Sequence, residues 1–466
     1  MKLNRIMIAA LKSGSGKTTI TCGLLQAFKD AGKNVISYKC GPDYIDPMFH
    51  QKVIDVPAKN LDTFFTDEET TRKLFLKNRK EDELSILEGV MGLYDGLGGV
   101  REEGSSYHLA KVTKTPIILV VDAKGMGRSL ISLIAGFLAY DKARLIKGVI
   151  LNRMSKSYYE TLKPLIEQEL SIEVVGYFPD CKEFRVGSRH LGLMMPDEIA
   201  DIREQLQKSS EELQKTVSLE AVLQIAEDAE ELEVYPVITD AEECVADSAN
   251  RPVIAVAKDE AFCFYYEDNL HLLEECGAKL EYFSPLHDNG LPDGCCGILL
   301  GGGYPELYAD KLSQNVTMLH AIKMAAESDM PIVAECGGFM YLHSVIVDKE
   351  DRSYTMTEVL PAKCYNTGKL VRFGYIELEG VNGDFMPRGK YIRGHEFHYY
   401  DSEDNGADCL AIKPVTGKSY PCIITKRNIF VGFPHLYYPS NPIFAENFVK
   451  KAREYKERKE LYSILS

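Results

Sequence analysis

A glycine- and serine-rich loop near the start of the chain, from Lys12 to Thr19, has the residue types that bind phosphate. It follows an apolar segment with the length of a strand and precedes a segment with the pattern of a helix. In that context backbone N–H groups surround phosphate, a lysine reaches the β and γ oxygens, and a hydroxyl binds Mg²⁺. A glycine turn without a ligand is the alternative. The predicted ATP-binding residues are Lys12, Gly14, Ser15, Gly16, Lys17, Thr18 and Thr19, with Thr18 also a metal ligand.

Acidic residues stand at the ends of apolar runs that follow this loop. Glu88 ends the run that begins at Leu84, and Asp95 lies in a glycine-rich loop shortly after it. Asp43 and Asp46 follow another strand, in a loop that two prolines and a glycine make rigid. Because parallel strands present their carboxyl ends at one edge of the sheet, all four acids are predicted beside the phosphates, where Glu88 can hold or orient magnesium. Solvated loop carboxylates are the alternative.

An asparagine, Asn152, ends the strand predicted at Gly148–Leu151. Its amide offers both donors and an acceptor, which is what recognition of adenine requires. An asparagine in such a position also caps loops by hydrogen bonding to nearby backbone groups. We predict that Asn152 binds ATP through the adenine base, with loop capping as the alternative.

A second chemical centre is predicted at Cys336. The apolar strand that begins at Ile332 meets this cysteine at a sharp turn, which two glycines and a helical segment follow. Such a turn exposes a nucleophile, and the helix N-terminus is expected to lower the pKa of its thiol. A glycine run upstream ends another strand, and the backbone amides of Gly302 and Gly303 are predicted to form an oxyanion hole. A buried structural thiol is the alternative for Cys336.

The general base for this thiol is predicted to be His435. It follows the apolar strand Ile429–Pro434, so its loop can present the imidazole to the cysteine. Two other histidines, His395 and His398, lack the spacing of helical metal ligands and are predicted to line the pocket or to pack. Cys336 and His435 are therefore the predicted catalytic pair.

Around these residues the chain has the alternating pattern of an α/β protein. Apolar runs with little alternation are typical of strands covered on both faces, so the first half predicts a doubly wound parallel sheet. The second half predicts another α/β sheet, followed by alternating or hairpin-like strands at Phe373–Glu379 and Pro421–Phe433. The predicted parallel strands are Arg5–Ala10, Asn34–Tyr38, Leu84–Leu87, Pro116–Val121, Lys147–Leu151, Glu173–Tyr177, Pro252–Ala257, Lys279–Phe283, Gly297–Leu300 and Pro331–Ala334. The predicted parts are a P-loop domain at 1–234, a linker at 235–250, a thiol domain at 251–446 and a C-terminal helix at 447–466.

Composition argues against several classes of protein. The chain has 466 residues, 45% of them hydrophobic and 26% charged, with a formal net charge of −15. That charge opposes nucleic-acid binding, which depends on neutralising phosphates with lysine and arginine. No apolar run reaches the roughly 18 residues that span a bilayer, and the first residues have a strand's pattern rather than a signal peptide's. A cytoplasmic protein without a membrane partner is predicted, and its 12 scattered cysteines predict reduced thiols.

Taken in order along nearly the whole chain, these motifs resemble those of the cobyrinate a,c-diamide synthase family. Lys12 resembles the signature lysine of the deviant Walker loops of MinD and dethiobiotin synthetase, although Leu11 replaces the first glycine of the usual pattern. The resemblance implies a dethiobiotin synthetase-like P-loop sheet followed by a class I glutamine amidotransferase-like α/β domain. Where many members of that class carry a triad acid, two residues after the histidine, the chain has Tyr437, so a Cys–His dyad is predicted. The motifs that carry the resemblance are Lys12–Thr19, Gly41–Pro47, Glu88–Gly92, Ser188–Leu193, Gly301–Glu306, Glu335–Gly338 and Arg393–His398.

The resemblance implies an ATP-dependent ligase that uses L-glutamine, with magnesium as its cofactor. ATP phosphorylates the c and then the a acetate of a corrinoid polycarboxylate, and ammonia released at the cysteine displaces the phosphate. Acyl phosphates must be protected from water, which favours two coupled sites. The resemblance assigns Asp43 and Glu88 to the metal and Asp46 and Asp95 to phosphate or substrate positioning, whereas Arg185, Arg189 and His190 are our own candidates for substrate anions.

Several related activities stay open. Nickel-sirohydrochlorin a,c-diamide synthase and the hydrogenobyrinate enzyme of the aerobic pathway have similar motifs, because macrocycle identity depends on pocket shape. Cobyric acid synthase matches less well at Gly41–Pro47 and Ser188–Leu193. A MinD/ParA-like switch would use the P-loop to dimerise and the basic helix after Lys450 to touch anionic membranes, but the Cys336 turn has no purpose in a switch. The oligomeric state is open too, with a homodimer among the alternatives.

Overall fold

The computed structural model describes residues 2–77, 79–80, 82–180, 196–233, 251–381, 383–426 and 428–465. Contacts within the chain divide it into two compact units, Met1–Val237 and Ile238–Ser466. The predicted linker at 235–250 and the predicted anion contacts Arg185, Arg189 and His190 lie outside the described residues. Among the helices that the structure describes, none is both long and apolar enough to cross a membrane.

The first unit is built on one sheet of seven strands. They are β1 (Arg5–Ala10), β2 (Asn34–Cys40), β3 (Ala58–Leu61), β4 (Glu83–Glu88), β5 (Ile117–Asp122), β6 (Ile146–Asn152) and β7 (Glu173–Phe178). Their order is β3-β2-β4-β1-β5-β6-β7, and every neighbouring pair is parallel. β1 is buried along its whole length and β5 along nearly all of it, which explains their unbroken apolar sequences. The predicted doubly wound parallel sheet is confirmed.

Helices cover this sheet and place the phosphate loop at the carboxyl end of β1. The helix that follows the loop begins at Lys17, and Gly23 within it lets Leu213 from a later helix approach closely. The helices of this unit are α1 (Lys17–Asp30), α2 (Ile45–Phe49), α3 (Glu68–Leu76), α4 (Ser106–Val112), α5 (Ser129–Tyr140), α6 (Lys156–Leu170), α7 (Pro196–Thr216) and α8 (Leu219–Glu227).

The second unit combines a parallel sheet with antiparallel ones. Its strands are β8 (Val253–Ala257), β9 (Phe262–Phe264), β10 (Lys279–Phe283), β11 (Cys295–Leu300), β12 (Gly302–Gly303), β13 (Ile332–Glu335), β14 (His343–Val347), β15 (Ser353–Thr355), β16 (Leu360–Asn366), β17 (Arg372–Gly380), β18 (Tyr391–His398), β19 (Tyr400–Ser402), β20 (Cys409–Ile412), β21 (Ser419–Cys422), β22 (Ile429–Gly432) and β23 (His435–Leu436). The parallel sheet has the order β10-β8-β11-β13-β22 and contains all four parallel strands predicted for this half. Its helices are α9 (Glu267–Glu275), α10 (Ala309–Gln314), α11 (Val316–Glu327), α12 (Gly337–Tyr341) and α13 (Ile443–Leu465).

The antiparallel strands differ from the sequence expectation in one place. β17 pairs with β18 over residues 372–379, as a hairpin-like pattern at Phe373–Glu379 predicts. The same expectation for Pro421–Phe433 is confirmed in part, because Ile424 and Val431 exchange two antiparallel backbone hydrogen bonds, whereas β22 also joins the parallel sheet beside β13. This arrangement brings the end of β22, and the histidine after it, to the end of β13.

Candidate active sites

The phosphate loop follows β1 and turns at two glycines. Gly14 and Gly16 have φ values of 74° and 96°, in the left-handed region that favours glycine. Gly16 also leaves no room for a side chain, because a Cβ there would lie 2.1 Å from the amide nitrogen of Asn152. Lys12 is exposed, whereas Lys17 is buried at the start of α1 and donates to a carbonyl of the loop after β4. The loop therefore has a backbone shape suited to phosphate.

Asn152 holds this loop in place. Its amide nitrogen donates to the carbonyl of Ser15 at 2.8 Å, and its amide oxygen accepts from the backbone N–H of Arg153 at 3.0 Å. Arg153 also donates to the carbonyl of Gly14 at 2.6 Å while pairing with Asp122. Asn152 therefore makes the contacts that the loop-capping alternative predicts. The adenine contact stays a prediction that would use the remaining donor and acceptor positions of the amide.

The glycine-rich loop after β4 lies against the phosphate loop. The N–H of Leu93 donates to the carbonyl of Ala10 at 2.8 Å, at the end of β1. The N–H of Gly92 donates to Oδ2 of Asp95 at 3.0 Å, so this carboxylate shapes its own loop. The negative charge of Asp95 also acts on Lys17, and the positioning role of Asp95 stays a prediction.

Glu88 is the centre of a buried polar cluster beside the phosphate loop. Its Oε1 accepts from the hydroxyl of Thr18 at 2.6 Å and from Nζ of Lys39 at 2.9 Å. Lys39 also pairs with Asp46, and Nε2 of His50 lies 3.5 Å from the second oxygen of Glu88. Lys39, His50 and Glu88 are all buried. The structure thus brings together the predicted residues Thr18, Glu88 and Asp46, and adds two that sequence reasoning missed.

Of the two residues that sequence reasoning missed, Lys39 has a recognisable signal in the sequence and His50 does not. Lys39 lies in β2 among apolar neighbours, and a lysine inside a buried strand is uncommon enough to have drawn attention. His50 begins a π-helical turn, and its Nδ1 lies 2.8 Å from the hydroxyl of Ser37. Such turns often accompany functional sites, but sequence periodicity does not reveal them.

Burial and close charges shift the ionisation of this cluster. Burial, followed by the charge of Asp46, raises the pKa of Glu88 to about 7 and that of Asp43 to about 6. Burial and repulsion by Lys39 lower the pKa of Lys17 to about 8. Burial would raise the pKa of Asp46, but attraction by Lys39 outweighs it and lowers that pKa. Lys39 is therefore the buried cation that lowers the pKa of Asp46 and opposes the rise in the pKa values of Glu88 and Asp43.

Replacing Lys39 by methionine is expected to destabilise the protein by about 3 kcal/mol or more, because two buried acids lose their cation. Calorimetric melting measures this loss. Lys29→Met is the matched control, since Lys29 pairs with Asp55 at the surface, where an ion pair contributes little. Equal melting temperatures for the two variants would show that Lys39 does not stabilise the cluster.

Cys336 follows β13 at a strained turn. Its φ of 48° and ψ of −102° lie in a region that residues with a side chain rarely adopt. The N–H of Cys336 donates to the carbonyl of Gly432 at 2.8 Å, and that of Gly338 donates to the carbonyl of Gly301 at 3.0 Å. These bonds fix the turn between β22 and the glycine loop after β11. The geometry is that of a nucleophile elbow.

The glycine loop after β11 contacts both halves of the predicted catalytic pair. A Cβ on Gly302 would lie 2.4 Å from Cε1 of His435, so only glycine allows the imidazole to lie there. A Cβ on Gly337 would lie 3.0 Å from the backbone nitrogen of Gly303. The loop therefore touches both the histidine and the turn of the cysteine. The oxyanion hole predicted at Gly302 and Gly303 lies on this loop, where it stays a prediction.

Burial favours the uncharged form of both members of the pair. Burial lowers the pKa of His435 to about 3, so its imidazole is neutral at pH 7. Burial, with a smaller contribution from the charge of Glu306, raises the pKa of Cys336, although the N–H of Gly337 opposes this shift. The helix N-terminus lowers the pKa of this thiol through the N–H of Gly337, as expected, but the net shift is upward. The following helix, α12, has only five residues, and burial dominates.

His435 is held by neighbouring rings. It stacks on His395 with centroids 4.9 Å apart and an interplanar angle of 16°. Nδ1 of His395 in turn lies 3.2 Å from the hydroxyl of Tyr266. Tyr437, which stands where related enzymes carry an acid, donates to Asp268 at 2.8 Å. The stacking contact places His395 of β18 beside the imidazole of His435, and the pocket or packing role of His395 stays a prediction.

Glu335, to which sequence reasoning gave no role, connects the cysteine and histidine segments. Its carboxylate accepts from the hydroxyl of Tyr438 at 3.2 Å and from the backbone N–H of Leu436. Glu335 is adjacent to Cys336, and Leu436 is adjacent to His435. Burial raises the pKa of Glu335 to about 8, so the side chain is largely protonated at neutral pH. The sequence signal for Glu335 is an acidic residue that ends an apolar strand directly before the predicted nucleophile.

Replacing Glu335 by glutamine is expected to change how stability depends on pH. The folded pKa of about 8 exceeds the ordinary value of 4.5, so the stability that the neutral acid contributes is present at low pH and lost as pH rises through 8. Glutamine cannot ionise and keeps an acceptor oxygen. The melting temperature of the variant relative to the unaltered protein should therefore rise by several degrees between pH 5 and pH 9. Glu327→Gln, at an exposed position, should show no such trend. A flat difference for Glu335→Gln would contradict this account.

Comparison with known proteins gives two matching domain models and many similar chains. Residues 6–193 match a CobQ/CobB/MinD/ParA nucleotide binding domain, and residues 253–442 match a CobB/CobQ-like glutamine amidotransferase domain. A cobyrinate a,c-diamide synthase of Caldanaerobacter subterraneus subsp. tengcongensis is 40% identical, over 92% of this chain and 94% of its own. Enzymes of the same name from Listeria innocua and Priestia megaterium are 39% and 35% identical, covering 94% and 98% of this chain and 97% and 99% of theirs. The two matched domains contain the phosphate loop and the cysteine turn respectively.

Proposed function

The chain belongs to the cobyrinate a,c-diamide synthase family and is a glutamine-hydrolysing amidating ligase, and we propose that it converts the a and c acetates of cobyrinate to amides, using ATP and glutamine. The observation that carries the proposal is the presence in one chain of two complementary sites. One is a phosphate loop beside buried acids, and the other is a strained cysteine turn beside a neutral histidine. Carboxylate activation and ammonia production are the two half-reactions that such sites perform.

The first half-reaction takes place at the phosphate loop. A substrate carboxylate oxygen attacks the γ-phosphorus of ATP, the bond to the β-phosphate oxygen breaks, and an acyl phosphate and ADP form. Lys17 and the backbone of the loop stabilise the negative charge on the phosphate oxygens during transfer. Lys39 keeps Asp46 and Glu88 in place beside them. Ammonia then attacks the acyl carbon, and phosphate leaves with the bonding electrons to give the amide.

Magnesium fits the donors beside this loop. The hydroxyl of Thr18 and Oε1 of Glu88 are 2.6 Å apart, and both are oxygen donors of the kind that Mg²⁺ prefers. Mg²⁺ usually binds one or two carboxylates together with substrate phosphates. Thr18 and Glu88 would hold the ion, with Asp43 in the neighbouring loop. The ion supplies charge neutralisation on the phosphates.

The second half-reaction takes place at Cys336. His435 takes the thiol proton as the sulfur attacks the amide carbon of glutamine, which gives a tetrahedral oxyanion. Backbone N–H groups of Gly302 and Gly303 stabilise that oxyanion in this proposal. The intermediate expels ammonia, to which the imidazolium returns its proton, and leaves a thioester on the cysteine. Water then hydrolyses the thioester to glutamate and the free thiol.

Trapping the acyl phosphate tests the proposed order of steps. With cobyrinate, ATP and hydroxylamine but no glutamine, the protein is expected to form a hydroxamate of cobyrinate and an equal amount of ADP. Omission of ATP should abolish the hydroxamate. ADP formation without a hydroxamate would contradict activation through an acyl phosphate, whereas no reaction with cobyrinate under any condition would contradict the substrate.

A further inference from the structure

The first turn of helix α9 lies against the segment that follows the histidine of the catalytic pair. Asn269, buried in that turn, accepts from the backbone N–H of Tyr438 at 2.7 Å and donates to the carbonyl of Leu436 at 2.8 Å. Its amide thus bonds to the main chain on both sides of Tyr437, as a neighbouring strand would. Asp268, also buried, accepts from the hydroxyl of Tyr437 at 2.8 Å. Three consecutive residues after the histidine are therefore tied to α9.

A second path of contacts reaches the imidazole itself. The ring of Tyr437 meets that of Tyr266 edge-on, with centroids 5.2 Å apart. The hydroxyl of Tyr266 lies 3.2 Å from Nδ1 of His395, whose ring stacks on that of His435. All four side chains are buried, and close-packed rings have little room to move past one another. The position of Tyr437 is therefore coupled to that of the imidazole through the main chain and through a layer of packed rings.

On the basis of the glutaminase half of the proposed function, we propose that Asp268 is a positioning residue for His435 and acts through Tyr437. In a triad, a carboxylate holds the imidazole in the orientation that proton transfer requires. Tyr437 stands two residues after His435, where that acid is expected, and its hydroxyl extends to a carboxylate on α9. The carboxylate of Asp268 holds the phenol, and the phenol holds the histidine segment and the rings beside it.

A role for Asp268 in the stability of α9 alone is the alternative. Acids in the first turn of a helix interact favourably with the helix dipole, and Glu267 is another acid in the same turn. Asp268 is buried and accepts from the hydroxyl of Tyr437, whereas Glu267 is half-buried. A role in the helix alone depends on the charge of Asp268 and not on the hydroxyl of Tyr437. The two roles therefore predict different results for the loss of that hydroxyl.

Tyr437→Phe tests the proposal because it removes only the hydroxyl. In this variant and in Asp268→Ala, the kcat for glutamine hydrolysis should fall about 10-fold, a part of what a general base contributes. The KM should be unchanged, since the base is misplaced while the pocket is intact. The double variant should lose no more than either single one, because both substitutions break the same contact. Asp268→Asn keeps an acceptor oxygen and should retain most of the activity, and amidation from free ammonia should be unchanged in all variants.

Glu267→Gln is the matched control, since it removes a charge from the same turn, and it should hydrolyse glutamine at the normal rate. An unchanged kcat in Tyr437→Phe would overturn the proposal. Losses that add in the double variant, or a raised KM with an unchanged kcat, would also overturn it, because they indicate independent effects or a disturbed pocket. If Asp268→Ala does not fold, Tyr437→Phe and Asp268→Asn still decide. Absence of glutamine hydrolysis in the unaltered protein would overturn the proposed function as well, whereas the other outcomes leave that function standing.

Discussion

Replacing Cys336 by serine is expected to abolish amidation that draws on glutamine while leaving amidation from free ammonia intact. The hydroxyl of serine in this turn is a poor nucleophile next to a neutral imidazole, so we expect glutamine hydrolysis to fall by about 10³-fold or more. The strained turn and its backbone bonds tolerate serine, because the substitution changes one atom. The measurement is amide formation with glutamine and with ammonium chloride, at a fixed ATP concentration.

The matched control for this variant is Cys296→Ser. Cys296 lies in β11, is buried like Cys336, and its thiol donates to the carbonyl of Gly294 at 3.0 Å, a bond that a serine hydroxyl can replace. Both nitrogen donors should support normal rates in that variant. If Cys336→Ser retained activity with glutamine, the nucleophile would have to be another residue and the account of the elbow would be wrong.

Replacing Lys17 by methionine is expected to abolish amidation from both nitrogen donors while glutamine hydrolysis continues. Lys17 is the buried cation at the start of α1, and the phosphoryl group would lose that cation during transfer. We expect the ATP-dependent rate to fall by roughly 10²–10³-fold, as when one preorganised charged or hydrogen-bonding group is removed from a transition state. The measurement is formation of ADP and of amide product with each nitrogen donor.

Lys33→Met is the matched control, since Lys33 lies in the same unit but is exposed at the turn between α1 and β2. It should keep both activities. Loss of glutamine hydrolysis in Lys17→Met, to the same extent as amidation, would indicate general damage to the protein rather than loss of phosphate binding. Unchanged amidation would contradict an ATP site at this loop.

Much of the first unit could be predicted from its sequence because each parallel strand is buried on both faces. β1 and β5 are unbroken apolar runs, and the phosphate loop between β1 and α1 has residue types with few other uses. The edge strand β3 was not predicted, since its four residues, from Ala58 to Leu61, include a lysine and an asparagine and show no period. Hydrophobic periodicity predicts a strand least well when the strand is short and lies at the edge of a sheet.

The electrostatics of the sites could not be predicted from the sequence. The sign of the shift at Cys336 depends on how much of the thiol is buried and on the nearness of Glu306, whereas the sequence displays only the helix that follows. The roles of Lys39 and Glu335 likewise depend on contacts with residues that lie far away along the chain, such as Glu88 and Tyr438. The sequence therefore predicts whether a segment is a helix or a strand better than it predicts which residues a charged side chain contacts.

The most direct test of the central claim is mass spectrometry of macrocycles incubated with the protein, ATP and glutamine labelled in its amide nitrogen. Cobyrinate, hydrogenobyrinate and nickel-sirohydrochlorin are offered separately, with Cys336→Ser as the control. The account predicts that cobyrinate exchanges two carboxylic acids for two labelled amides, and that Cys336→Ser forms the same diamide only from free ammonia. ATP hydrolysis without amidation of any of the three, or a labelled diamide of another macrocycle but none of cobyrinate, would contradict it.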